Sequence, residues 1–430
     1  MSVVAKSYVK TTLACFALAV AASACATFAL LWLPPAIGFA IAALSALIAF
    51  VAIVFAATGE LVRYRHRLGA RSERDLFLEL NRSRDASAIA AGAGPRTGWL
   101  RRRFARRFLG HDLVVGDEVE IRPWAEIRAT LDERGCLEEL PFMPEMLALC
   151  GQRAQVFRCV HRIFDYRKSR RMRHMDRAVL LVGTVCDGSS HGGCEAACHT
   201  IWKPAWLRRV APGTVRPPAA TTRPEAQGSE VLRFGTQFDP RFDPATPRYA
   251  CQLTKLHAAS QPIDKLTLRH FLLPVVSGNV APAAFVVGWL THLFNKLQHR
   301  RHGIGFPQFE PNGRDPGAVS HEEPALQPGD PVRVLSPAEI RATLNERHLH
   351  RGMWFEPDMM KHCGHRYRVQ AEIRKIVDIV NGEMRTMKTP AYVLRDVHFS
   401  GERQLFNAQY EPLFWRAAWL RRDPHSDGAS

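Results

Sequence analysis

The sequence predicts a mixed, mainly β protein: two small β-barrels of the Src-homology type with helical insertions, behind an N-terminal hairpin of two transmembrane helices. Three observations lead there: two uncharged stretches at the front of the chain, an internal repeat further on, and β-rich runs inside each copy. A chain of 430 residues has room for two or three compact units, each with its own core. Lys and Arg total 58 against 41 acidic residues, and the net charge of +17 favours anionic partners, lipid headgroups first.

The hairpin, residues 1–62, comes first. Residues 11–33 and 36–59 carry no charged side chain. At about 1.5 Å per residue each crosses a hydrocarbon core of about 30 Å. Trp32, Leu33, Pro34 and Pro35 between them favour a tight reversal, because paired prolines remove backbone donors. Lys6 and Lys10 precede the first stretch, and Arg63, Arg65, Arg67, Arg71 and Arg74 follow the second. The positive-inside rule then puts both termini and the folded domains in the cytoplasm and the anchor in the inner membrane. Residues 63–110 form a basic linker ending in GWLRRRFARRFL, where Trp99, Arg101, Arg102, Arg103, Arg106 and Arg107 would suit a membrane surface. A helix packed on the protein would show the same spacing.

The repeat fixes the remaining boundaries. Residues 116–209 contain GDEVEIRPWAEIRATLDER, LPFMPEM, LCG, IFD and WLRR, while residues 329–422 contain GDPVRVLSPAEIRATLNER, MWFEPDM, HCG, IVD and WLRR in the same order. The first module spans 111–210, a linker and helical connector 211–328, and the second module 329–422. Each copy opens with a turn glycine and an alternating strand, followed by a short helix that Ser336 and Pro337 cap in the second copy. The runs at 155–164, 178–185, 366–380 and 391–397 read as barrel strands. Residues 283–298 read as an amphipathic helix, with His292, Asn295 and Lys296 arguing against a third span.

Residues 186–199, CDGSSHGGCEAACH, crowd three cysteines and two histidines into one turn of chain. In a reducing cytosol such thiols point to metal coordination, by zinc or an iron-sulfur cluster, rather than to disulfides. Gly188, Gly192 and Gly193 would let Cys186, Cys194 and Cys198 converge. Cys251 is the best distant fourth ligand, with His191 and His199 as local alternates. The second copy has no cysteine after His398, so no equivalent thiolate site is expected there. Cys150 and Cys363 recur in both copies and read as core residues.

On LPFMPEML, CDG-x-x-HGGC at 186–194, Tyr-x-Cys-Gln at 249–252 and FNKLQ at 294–298, the chain resembles a bacterial family built on the same tandem module. The resemblance covers roughly 116–422 and implies no activity. It implies cysteines near His398 and Asn407, whose replacement here puts a second metal site in doubt. Function therefore rests on the residues. A binding or scaffold protein with a structural metal in the first module, able to take a protein partner, ranks first. An iron-sulfur or zinc-dependent redox enzyme or metalloenzyme ranks second, and nucleic-acid binding through RKSRRMR at 167–173 ranks last.

Overall fold

A computed structural model describes residues 106–210, 248–263, 269–280, 282–302, 324–399 and 406–423, with isolated positions at 17, 21, 25, 37, 41, 45, 103, 232 and 401. The chain divides into two compact units: residues 1–80, 286–321 and 334–365, and residues 81–285, 322–333 and 366–430. Both five-stranded sheets belong to the second unit, but for Val334 at the end of one strand.

The first module begins with β1 (Glu118–Ile121), α1 (Trp124–Arg128), the short β2 (Cys136–Leu137) and β3 (Leu140–Pro141), and a 3-10 turn at Pro144–Leu149. Then come β4 (Arg153–Cys159), β5 (Arg162–Phe164), β6 (Met172–His174), β7 (Val179–Val185), β8 (His199–Trp202), a 3-10 turn at Pro204–Trp206 and β9 (Leu207–Arg209). The connector supplies α2 (Gln252–Lys255), β10 (Gln261–Pro262), α3 (Arg269–Val276) and α4 (Pro282–His302). The second module repeats the order with β11 (Pro331–Val334), α5 (Pro337–Ala342), β12 (Leu349–His350), β13 (Met353–Trp354), a 3-10 turn at Pro357–His362, β14 (Arg366–Val377), β15 (Met384–His398), β16 (Pro412–Trp415) and β17 (Leu420–Arg422).

The two sheets have the same antiparallel topology, β8-β7-β4-β1-β9 and β16-β15-β14-β11-β17. A turn glycine starts each one, with Gly116 N–H donating to Val156 O at 2.9 Å and Gly329 N–H to Val369 O at 2.8 Å. Buried tryptophans recur as well, Trp202 and Trp206 in one copy and Trp415 and Trp419 in the other. In the first module Phe142 meets both indoles edge-on, at 6.0 and 5.1 Å between ring centres. In the smaller unit α5 carries the expected cap: Ser336 N–H and Oγ both donate to Glu339 Oε2, at 2.8 and 2.7 Å.

The expected closed barrels are corrected to open, bulged half-barrel sheets. Among the described residues no pairing joins β8 to β9 or β16 to β17. In the first module the physical reason is visible at the free edge of β8. The Gln252 side chain takes that edge, accepting from Ile201 N–H at 2.7 Å and donating to Ile201 O at 2.8 Å. The run at 155–164 also breaks into β4 and β5, because Asn279 pairs with both the N–H and the carbonyl of Cys159, at 2.9 and 2.7 Å, where a strand would otherwise continue.

The transmembrane hairpin and the inner-membrane location drawn from it are also corrected. No helix among the described residues is long and apolar enough to cross a membrane. The longest, α4, has 21 residues but includes His292, Asn295, Lys296 and a basic end. The stretches 11–33 and 36–59 lie outside the described residues, apart from six isolated helical positions. What the structure shows is a mainly β chain.

Candidate metal centre

β7 ends at Val185 and β8 begins at His199, so the cysteine-rich segment is the loop between two paired strands. Cys186 N–H donates to Cys198 O at 2.8 Å and closes the base of the loop. Above that bond the chain crosses itself. Gly188, at φ +71°, lies so close to Cys194 that a Cβ would meet the Cys194 carbonyl oxygen at 1.9 Å. His191 and Gly193 N–H groups both donate to Gly188 O, at 3.1 and 3.0 Å. Gly192 packs against the Tyr249 ring, where a Cβ would come within 2.6 Å. Two glycines of the CDG-x-x-HGGC motif are thus explained by close backbone and ring approach.

These turns bring Cys186 and His191 together with Glu145, from the 3-10 turn at 144–149. One ligand atom from each lies within 4.8 Å of the others, a group that could hold a metal ion. His191 Nε2 is 3.5 Å from Cys186 Sγ, and Ser190 Oγ donates to Glu145 Oε2 at 2.8 Å while lying 3.0 Å from His191 Nδ1. Glu145 Oε1 is buried with no hydrogen-bond partner. Burial, and then the charge of Glu145, push the Cys186 thiol well above its ordinary value. Burial lowers His191, so its neutral, ligating form is favoured.

The other predicted ligands stand close by but outside this tight group. Cys194 is 7% exposed, and its sulfur accepts the Val377 N–H at 3.3 Å. Cys251 opens α2 and is fixed by its neighbour Gln252, which also donates to Pro141 O at 3.0 Å. Burial raises Cys251 to about 11, and Cys194 adds to the rise. Cys198 is pushed well above the usual thiol range by burial, then by Glu411 and the other three cysteines. His199, an expected alternate, turns away from the metal group. Its ring stacks on Phe157 and meets His398 and Tyr410 edge-on, at 6.1, 5.6 and 5.3 Å.

The sequence missed three participants. Glu145 lies in the LPFMPEM landmark, and the repeat could have flagged it, since the second copy also has an acid there, Asp358. Ser190 lies inside the cysteine-rich segment and carries no separate signal there. Glu411 is carried in by the second module; burial raises its carboxyl to about 7, against the pull of a hydrogen bond with Cys198.

The loop also reaches into the second module. Glu195 N–H donates to Lys375 O at 2.8 Å, and Glu195 Oε2 accepts from Arg374 and Lys375 N–H groups at 2.5 and 2.9 Å. The second module returns the gesture: Ala408 N–H donates to Arg162 O at 2.9 Å, and Gln409 Oε1 accepts from Phe164 N–H at 3.1 Å.

Of the residues expected at a membrane surface, Trp99, Arg101 and Arg102 lie outside the described set. Arg103, Arg106 and Arg107 are exposed, while Leu109 is buried and Phe108 packs on the core. This end of the helix therefore docks on the protein. The basic run at 167–173 is partly structural. Asp165 accepts from the N–H groups of Arg167, Lys168 and Ser169, and Arg173 is buried on Ser260 and His257 O. The described cysteines are all free, and Cys150 and Cys363 each point their sulfur at the carbonyl four residues back, at 3.9 Å. A scan against protein-family models finds no match for the chain, and searches of curated proteins and of solved structures find none either.

Proposed function

We propose that the chain is a tandem-module binding or scaffold protein whose first module is stapled by a zinc ion on Glu145, Cys186 and His191. The observation that carries this reading is the convergence of oxygen, sulfur and nitrogen donors within 4.8 Å in a loop whose far side is bonded to the second module. Zinc accepts such a mixed donor set, whereas an iron-sulfur cluster at Cys186 would want thiolates in place of Glu145 and His191. An ion here would also relieve the buried, unpartnered Glu145 oxygen and let Cys186 ionise despite its burial. The staple would hold the loop, and through Glu195 the junction between modules, as a fixed surface for a partner. Replacing Cys186 with Ser should lower zinc content and thermal stability together. Normal values of both would end the reading.

A second reading draws on the chain Cys186, His191, Ser190 and Glu145, which resembles a nucleophile, its base and an orienting acid. The thiol argues against it. A catalytic cysteine needs a depressed pKa, and burial with Glu145 drives Cys186 the other way. Cys186 alkylation by iodoacetamide in zinc-stripped protein, at a rate above that of a free thiol, would revive it.

A further inference from the structure

Each module docks a segment on a strand of the other through repeat-related bonds. Glu195 N–H donates to Lys375 O at 2.8 Å, and its counterpart Ala408 donates to the O of Arg162, the counterpart of Lys375, at 2.9 Å. Two residues along the strand, Val377 N–H donates to Cys194 Sγ at 3.3 Å in one junction, and Phe164 N–H to Gln409 Oε1 at 3.1 Å in the other. The junctions differ in charge. Glu195 brings a carboxylate to the first, and its Oε2 accepts the Arg374 and Lys375 N–H groups. Ala408 brings none to the second.

The second junction buries a cation instead. Arg162 is 6% exposed, whereas Lys375 lies in the open. The Arg162 Nε is buried with no hydrogen-bond partner, and among the described residues no acid pairs with the guanidinium. Burial is the one influence on its pKa and lowers it to about 10, so the group stays charged at neutral pH. A charge held out of water without a counter-charge is strongly unfavourable. Gln409, 5% exposed, adds a further donor. Its Oε1 accepts from both Phe164 N–H and Asn407 Nδ2, which fixes the amide's orientation, and its Nε2 finds no acceptor among the described residues. Arg162 and Gln409 thus leave this junction with buried donors in excess.

We propose that the junction at Arg162 and Gln409 is a carboxylate-binding site, where a ligand supplies the charge that Glu195 supplies at the other junction. The planar edge of a guanidinium matches the two oxygens of a carboxylate, and an amide N–H can donate to either oxygen. The ligand is a small free carboxylate or the acidic side chain of a protein partner; both present the same group. The site is separate from the zinc staple and does not depend on it.

The test follows the thermal midpoint of the zinc-loaded full chain as sodium acetate replaces sodium chloride at constant ionic strength. The capped peptide Gly-Gly-Glu-Gly-Gly serves as a second probe. Acetate at several times its Kd should raise the midpoint by about 2–4 °C. A response to acetate alone points to a free carboxylate, and a response to both probes to a partner's side chain; either supports the site. Arg162→Met should melt higher than wild type in chloride and lose the response, with zinc content unchanged. Should that variant not fold, Arg162→Lys carries the second module's residue at this position, and its apparent acetate affinity should be at least about fivefold weaker, because the planar fork is gone. No rise in the wild type with either probe overturns the proposal, and so does an equal rise in the Arg162 variant that folds.

Discussion

The segment 186–198 and its counterpart between Phe399 and Glu411 share two backbone contacts and differ in chemistry. Cys186 N–H donates to Cys198 O at 2.8 Å, and Phe399 N–H donates to Glu411 O at 2.8 Å. Gly188 crosses Cys194, and Gly401 crosses Asn407 so closely that a Cβ would meet its carbonyl oxygen at 2.1 Å. Phe399, Asn407 and Glu411 therefore occupy the places of Cys186, Cys194 and Cys198. Asn407, 1% exposed, exchanges hydrogen bonds with Gln409, while Phe399 and Phe406 are buried and Phe406 stacks on Phe285. The comparison teaches that the crossing needs the glycine and not the thiols. The cysteines of the first loop are then free to be explained by ligand chemistry.

Substitutions can break or sharpen this comparison. The largest effect is expected from Gly188→Ala or Gly401→Ala, each of which places a methyl group against backbone at a positive φ and should cost about 3 kcal/mol or more. Denaturant melts would show it; tolerance in either loop would mean that the shared crossing is incidental. Phe399→Ala should cost about 3 kcal/mol as a core truncation and leave metal content untouched. Loss of metal in that variant would tie the two loops' chemistry together.

Acid gives a metal-independent background that must be separated from the loop. Burial lowers His111 to about 4, so its neutral form is favoured in the folded chain. Its contribution is complete above about pH 6.5 and is lost as pH falls toward 4, by up to about 3 kcal/mol. His111→Phe should flatten this part of the stability profile in chelated protein, and an unchanged profile would remove His111 as its cause. The smallest effect belongs to Glu195→Ala, which removes two charge-assisted bonds to β14 and should cost about 1–2 kcal/mol. If the second module provides nothing but an anchor for the loop, zinc affinity should fall with that stability rather than independently of it.

Much of the architecture could be read from the chain, and the reasons are local. The strands of each copy, the Ser336 cap and the buried Cys363 follow from alternation, capping chemistry and the repeat itself. The open sheet could not be read, because it depends on a Gln252 side chain reaching a strand edge from about fifty residues away. The transmembrane hairpin rests on uncharged length, a Pro34–Pro35 reversal and flanking cations, and among the described residues no helix supports it. At the site, Cys186 and His191 were legible from spacing in one short loop. Glu145 and Glu411 were not, since each comes from a distant segment and is placed by the tertiary fold.

The most direct test of the account is the thermal midpoint of the full chain with and without zinc, measured beside Cys186→Ser. The account predicts that zinc raises the midpoint of the stripped wild-type protein and does nothing for the variant, whose midpoint matches the stripped state. An equal response in both proteins, or none in the wild type, would contradict it.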